Sequence, residues 1–248
     1  NCDFTYSYNM YNIGQGTPNG SLIIPDPKFP NIYYLFHYNY VGAFEPPQAP
    51  FYGCSHLLCT TIDMSYNNGL GKVIDKNVPI ISSPLTWGCI QAVKHANGHD
   101  WWLIVPEYTT RYYHRVLIDK TGIHYEGKQL AGPNITIPGD WDPSTAKFSQ
   151  QGDKYIRLRL PYEAYYFQFN RCTGLLSDVH TIPLNLANTT GDIEFSPDGS
   201  LLYISNADTI FQLDLNATNI ASSKTVVAIY DGFQSPFGSL FNFAKLAS

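Results

Sequence analysis

A hexapeptide that returns after 47 residues constrains this chain more than any other feature. Phe148-Ser149-Gln150-Gln151-Gly152-Asp153 is matched by Phe195-Ser196-Pro197-Asp198-Gly199-Ser200, and each copy runs into an apolar stretch, Tyr155-Ile156 in one and Leu201 to Ile204 in the other. The same offset relates Gly191-Asp192-Ile193 to Gly238-Ser239-Leu240. A looser copy lies upstream, where Ala92 to Gly98 precedes Trp101 to Val105. A more divergent one opens at Ser21-Leu22-Ile23-Ile24 and resumes after a turn at Ile32 to Phe36. Repetition at this period builds an array of like supersecondary units, not one irregular core.

Within each unit, apolar residues alternate or run in blocks of four to five between Gly, Pro, Asn and Asp, which predicts strands and no long helix. The second unit reads as strands at Cys89 to His95, Trp101 to Pro106, Arg111 to Ile118 and Gly122 to Gln129. The fourth reads as Gly191 to Ser196, Leu201 to Asn206, Ile210 to Leu215 and Lys224 to Tyr230. Four strands per unit is the pattern of a propeller blade. The turn Phe195 to Ser200 supplies its own chemistry: Pro197 presets φ, Asp198 can bond its own backbone, and Gly199 accepts a positive φ.

The expected fold is therefore all-β, a β-propeller of four-stranded antiparallel blades, with about four complete blades and the start of a fifth. The units fall near residues 20–87, 88–138, 139–189 and 190–237, with 238–248 opening the next blade. At 47 residues per unit, 248 residues are an unfinished count. Either residues 1–20 complete the last blade or, the favoured expectation, the ring continues in further residues of the same polypeptide. A start at Asn1, with neither Met nor a signal peptide, points to a processed chain or an excised fragment.

Composition narrows the function classes. Lys and Arg number 15 against 20 Asp and Glu, a formal charge of −5, and no basic run exceeds two residues. Nucleic-acid binding needs clustered cations to displace phosphate counterions, so it is not expected. The longest apolar runs are five residues, such as Trp101 to Val105, far short of the roughly 18 a spanning helix requires, so no membrane span is expected. Aromatics at 15%, with 19 Tyr, suit half-buried pleated surfaces. The pairs Tyr33-Tyr34, Tyr112-Tyr113 and Tyr165-Tyr166 recur in successive units, which points to packing between blades, as does Trp101-Trp102.

Five cysteines, at positions 2, 54, 59, 89 and 172, leave at least one unpaired within the chain. Cys54 and Cys59 lie close enough in sequence to close a small disulfide ring. His56 between them suggests zinc, but no second Cys/His pair stands at ligand spacing. Cys89 and Cys172 sit in strand-like runs and read as small buried hydrophobes.

The run Gly191 to Leu215 (G-D-I-E-F-S-P-D-G-S-L-L-Y-I-S-N, then I-F-Q-L-D-L) resembles the WD-repeat-like propellers of secreted and cell-surface proteins of the Bacteroidota. So do Lys94 to Val105, Phe169 to Ser177 and Asp63 to Asp75. The resemblance spans about residues 20 to 243. It implies large multidomain proteins exported by the type IX secretion system, often with a C-terminal sorting or gliding-motility-associated domain. No such domain is present in these residues, and the family brings no agreed catalytic residues. By the same resemblance, Asp208-Thr209-Ile210 is similar to a motif those organisms O-glycosylate, which makes Thr209 a candidate attachment site. Sequons for N-glycosylation stand at Asn19, Asn134, Asn188 and Asn216.

Asp140-Trp141-Asp142 is the most suggestive short stretch for a ligand. An indole flanked by carboxylates can stack on a sugar ring and accept its hydroxyls, or the two Asp can help bind Ca2+; the competing reading packs Trp141 between blades and uses the Asp residues as turn caps. No Rossmann glycine pattern, P-loop, nucleophile elbow or His-Glu-x-x-His occurs, so no cofactor is implied. The carboxylates near inner strands, Asp140, Asp142, Asp192 and Glu194, and the histidines His95 and His99, fall into no catalytic motif. The expectation is a non-catalytic binding, adhesion or surface-assembly module, secreted or at the cell surface, with a protein or glycan partner. The alternative is a propeller hydrolase or lyase working in the channel mouth.

Overall fold

The computed structural model describes residues 19–42, 52–135, 144–234, 240–241 and 244–245. Among them, sixteen strands form four sheets of four. The first holds β1 (Ser21–Pro25), β2 (Ile32–Gly42), β3 (Tyr52–Asp63) and β4 (Lys72–Leu85). The second holds β5 (Gln91–Lys94), β6 (Trp101–Pro106), β7 (Tyr112–Asp119) and β8 (Gly122–Leu130). The third holds β9 (Ser144–Phe148), β10 (Lys154–Arg159), β11 (Glu163–Asn170) and β12 (Leu175–Pro183). The fourth holds β13 (Ile193–Phe195), β14 (Leu201–Asn206), β15 (Thr209–Asp214) and β16 (Thr225–Ile229). Each sheet is an antiparallel meander whose spatial order follows the chain. The only helices among the described residues are two single 3-10 turns.

Burial explains why these sequences settle in these places. β6 and β10 are buried along nearly their whole length; β6 reads as an unbroken apolar run with both faces covered, whereas β10 alternates Tyr155, Ile156 and Leu158 with the buried Arg157 and Arg159. The last strands β4, β12 and β16 are largely exposed and β8 is half-buried to exposed; β4, β8 and β12 mix polar with apolar residues, whereas β16 exposes Val226, Val227 and Ile229. A shared turn joins the first two strands in three sheets. In each, the N–H of a glycine bonds back to the residue three earlier: Gly98 to His95 at 2.9 Å, Gly152 to Ser149 at 2.9 Å and Gly199 to Ser196 at 2.8 Å. Their φ values of 77, 74 and 68° need glycine for the same reason, since a Cβ is disfavoured there. In the last copy Ser196 Oγ and the Ser200 hydroxyl and N–H donate to Asp198, at 2.5 to 3.0 Å, and these bonds hold its carboxyl down at a pKa of about 2.

The chain divides into two compact units, Asn1–Asp142 with Arg171–Leu175, and Pro143–Asn170 with Leu176–Ser248. The core of the first centres on Ile24, Phe36, Tyr38, Leu57, Leu103, Val105 and Val116. That of the second centres on Ile156, Leu158, Ile182, Ile193, Phe195, Leu202 and Leu213.

Two cysteine expectations are corrected here. Cys54 and Cys59 are free and buried, and both lie in the single strand β3. Five residues of strand span about 17 Å, against the roughly 4.4 to 6.8 Å between Cα atoms that a disulfide allows. Cys172 is exposed, because it sits in the turn between β11 and β12 and not in a strand. Cys89 is buried, and Cys2 lies outside the described residues.

Candidate functional site

In the second unit, β9 and β13 open their sheets and lie side by side. The 47-residue repeat makes Thr145 equivalent to Asp192 and Lys147 equivalent to Glu194, and the structure brings these equivalents into contact. Thr145 Oγ1 donates to Asp192 Oδ1 at 3.0 Å. Lys147 Nζ stands 3.6 Å from both Asp192 Oδ2 and Glu194 Oε2, and donates to the Ala244 carbonyl at 3.3 Å. The Ala244 N–H donates to Asp192 Oδ2 at 3.2 Å, and the Asp192 N–H to Ser205 Oγ at 2.8 Å. Asp192 is only 3% exposed, whereas Glu194 is half-buried between the buried Ile193 and Phe195, as strand alternation dictates. Chemically this is an ammonium shared by two carboxylates, with three of the roughly four acceptor positions of Asp192 already engaged. Such a network ties β9, β13 and residue 244 together.

The first unit holds a second polar cluster. Glu107 Oε2 accepts from Lys128 Nζ at 2.7 Å and lies 3.3 Å from His114 Nε2, while His114 Nδ1 is 2.8 Å from the Tyr125 hydroxyl. His114 is buried, and desolvation lowers its pKa against the opposing pull of Glu107. Desolvation also raises that of Tyr125, while the hydrogen bond to Glu107 raises that of Lys128. No sequence motif marks this group. Its signal is cross-strand register, since His114 of β7 sits opposite Lys128 of β8.

The remaining candidates stay apart. Asp140, Trp141 and Asp142 lie outside the described residues. Thr209 begins β15, half-buried, and its hydroxyl donates to Asp208 at 3.0 Å. His95 is a turn residue whose Nε2 meets the Cys172 carbonyl at 3.1 Å, and the His99 N–H is taken by Asn97 Oδ1 at 3.0 Å. Trp102 is buried and donates to the Arg171 carbonyl at 3.0 Å; Trp101 is half-buried beneath the Lys94 ammonium, 3.9 Å from its ring. Among the described residues, no group of three or more His, Cys, Asp or Glu could hold a metal ion, and no helix is long and apolar enough to cross a membrane.

No family model and no curated protein matches the sequence. Solved structures do match. A functionally unknown protein from Desulfotomaculum acetoxidans superposes with a TM-score of 0.51 at 14% identity, over 90% of this chain and 61% of that one. The periplasmic gluconolactonase PpgL of Pseudomonas aeruginosa does so with a TM-score of 0.50 at 13% identity, over 84% of this chain and 52% of its own length. The fold is a β-propeller. The chain spans between about half and three-fifths of these two structures. At such identities the likeness establishes fold alone.

Proposed function

We propose that this propeller chain is a non-catalytic binding module of a secreted or cell-surface protein, in which stiff blades present variable loops to a protein or glycan. The observation that carries this reading is the committed state of the inner-strand charges. Paired-carboxylate catalysis needs one group held ready to give or take a proton within reach of a substrate. Asp192 is instead engaged by Thr145, Ala244 and Lys147, and Glu194 by Lys147 and the Phe195 N–H. The likeness of Gly191 to Leu215 to surface propellers of the Bacteroidota supports an extracellular setting. We assign a ligand contact to the stretch Asp140-Trp141-Asp142, with the indole stacking on a sugar and the carboxylates accepting hydroxyls or a Ca2+ ion. Binding of the full chain to immobilised cell-surface glycans and proteins, with and without Ca2+, tests this. Retention lost in Trp141→Ala supports this contact, and retention unchanged in that variant removes it.

A hydrolase or lyase is the second reading. It draws on a buried carboxylate beside a lysine, at Asp192 and Lys147, and on the gluconolactonase among the similar structures. Following acid release from D-glucono-1,5-lactone separates the two. Turnover above the uncatalysed rate that disappears in Glu194→Gln would sink the binding-module reading, and no turnover sinks the lactonase reading.

A further inference from the structure

A cleft of about 470 Å³ opens in the second unit between β11, β12 and the loop that joins β15 to β16. That volume falls inside the range of small-ligand pockets, roughly 300 to 1000 Å³. One wall is an aromatic pair, the buried Tyr166 against the exposed His180, with ring centroids 5.9 Å apart. The Gln168 amide donates to the Tyr166 hydroxyl at 3.0 Å, which fixes both groups. Thr181, Asn216 and Thr218 add hydroxyl and amide functions, and Ile182, Leu215 and Ile220 add apolar surface.

The chemistry of the lining excludes most ligand classes. It contains no carboxylate, so nothing there would compensate a cation. Its one full positive charge, Lys154, is held at 2.6 Å by the Gly199 carbonyl, and no arginine stands beside it to grip a phosphate. A wholly apolar ligand would cover several amides and hydroxyls and leave them without partners. What remains is a neutral molecule with many hydroxyls and some apolar faces.

The loop is also built in advance. The Asp214 N–H donates to Ser223 Oγ at 2.8 Å, Ser223 Oγ donates to the Ile220 carbonyl at 2.7 Å, and the Ser222 N–H donates to Asn219 Oδ1 at 3.2 Å. Lys224 Nζ pins the far side to the Leu184 carbonyl at 2.8 Å. A cleft whose walls are already ordered loses less entropy when it is filled.

The geometry points to this cleft as a binding site for a neutral saccharide, with Gln168 and Asn216 fixing hydroxyls and Ile182, Leu215 and Ile220 meeting the C–H faces of a ring. This assignment rests on the binding-module reading and adds to it a saccharide site formed by other residues than Asp140-Trp141-Asp142. The test titrates the 15N-labelled full chain with cellotriose, maltotriose, mannotriose and chitotriose and follows backbone amide shifts. At least one sugar should move the amides of Gln168, His180 and residues 215–221 saturably, with a Kd of about 1 mM or tighter. Gln168→Ala combined with Asn216→Ala should weaken it about tenfold or more, and Lys76→Ala, at an exposed position of β4 in the first unit, should leave these shifts unchanged. Asn216 is exposed and Gln168 half-buried, and preserved dispersion of the remaining amides shows that the double variant stays folded. No shift at the cleft with any of the four sugars, or equal affinity in the double variant, overturns the assignment. Binding that follows Trp141 instead overturns the cleft and leaves the module standing. Lactone turnover, measured separately, is what removes the module reading itself.

Discussion

Gly174 shows how much one missing side chain decides. It sits in the turn Arg171–Leu175 at φ 67°, and a Cβ there would lie 2.7 Å from the Trp102 ring. The turn is held down by the Trp102 indole on the Arg171 carbonyl, by Arg171 Nε on the Lys94 carbonyl at 2.8 Å, and by Arg115 on the Thr173 carbonyl at 3.0 Å. Gly174→Ala should therefore cost at least the 1 to 2 kcal/mol (roughly) of a left-handed residue, and more for the displaced indole. Equilibrium denaturant unfolding reads this directly, and an unchanged midpoint would mean that the turn does not pack there. Thiol chemistry offers a second check at the same scale. Burial pushes the Cys54 and Cys59 thiols up to about 12, whereas Cys172 is exposed. Since the thiolate is the reactive form, peptide mapping after iodoacetamide treatment of the native chain should find Cys172 modified and Cys54, Cys59 and Cys89 spared until the chain is unfolded.

At the scale of elements, turns and strand pairs carry the pH response. Asp198 accepts from Ser196 and then Ser200, and Asp119 and Asp63 each accept from a Thr or Ser two residues on; these bonds lower all three carboxyls. A carboxyl lowered in the fold stabilises it above the unfolded value and stops doing so as pH falls through the folded one. For Asp198 that window runs from 3.8 down to about 2. Asp198→Asn should lower the melting temperature at pH 7 and flatten its decline across that window. His114 acts in the same direction for a different reason. Its buried imidazole is held neutral, so the unfolded chain takes up the proton first, and stability falls as pH drops below about 6.5. In His114→Gln the melting temperature should lose that slope between pH 6.5 and 5, and an unchanged slope would place the titration elsewhere. The turn was legible in advance because Pro197, Asp198 and Gly199 act locally. The His114 cluster was not, because its members meet only through the register of β7 on β8.

For the whole molecule, charge and edges matter together. The formal charge is −5 and the sequence pI is about 5.7, so repulsion between molecules vanishes just below neutrality. β16 is a sheet edge that exposes Val226, Val227 and Ile229, the kind of apolar edge that invites pairing with another chain. Light scattering should show self-association greatest near pH 5.7, and Val227→Lys should reduce it without changing the melting temperature. Scattering unaffected by the substitution would exonerate this edge. The repeat, the strand alternation and the turn residues determined from sequence alone that this would be an all-β chain of four-stranded blades, because each depends on neighbours a few positions away. Only the tertiary structure decided which polar groups meet: Lys147 with Asp192 and Glu194, and Glu107 with His114 and Lys128. It also decided that Cys54 and Cys59 stay apart. Those outcomes depend on strand register and sheet packing, which bring together residues that sequence spacing holds apart and separate residues that it holds close.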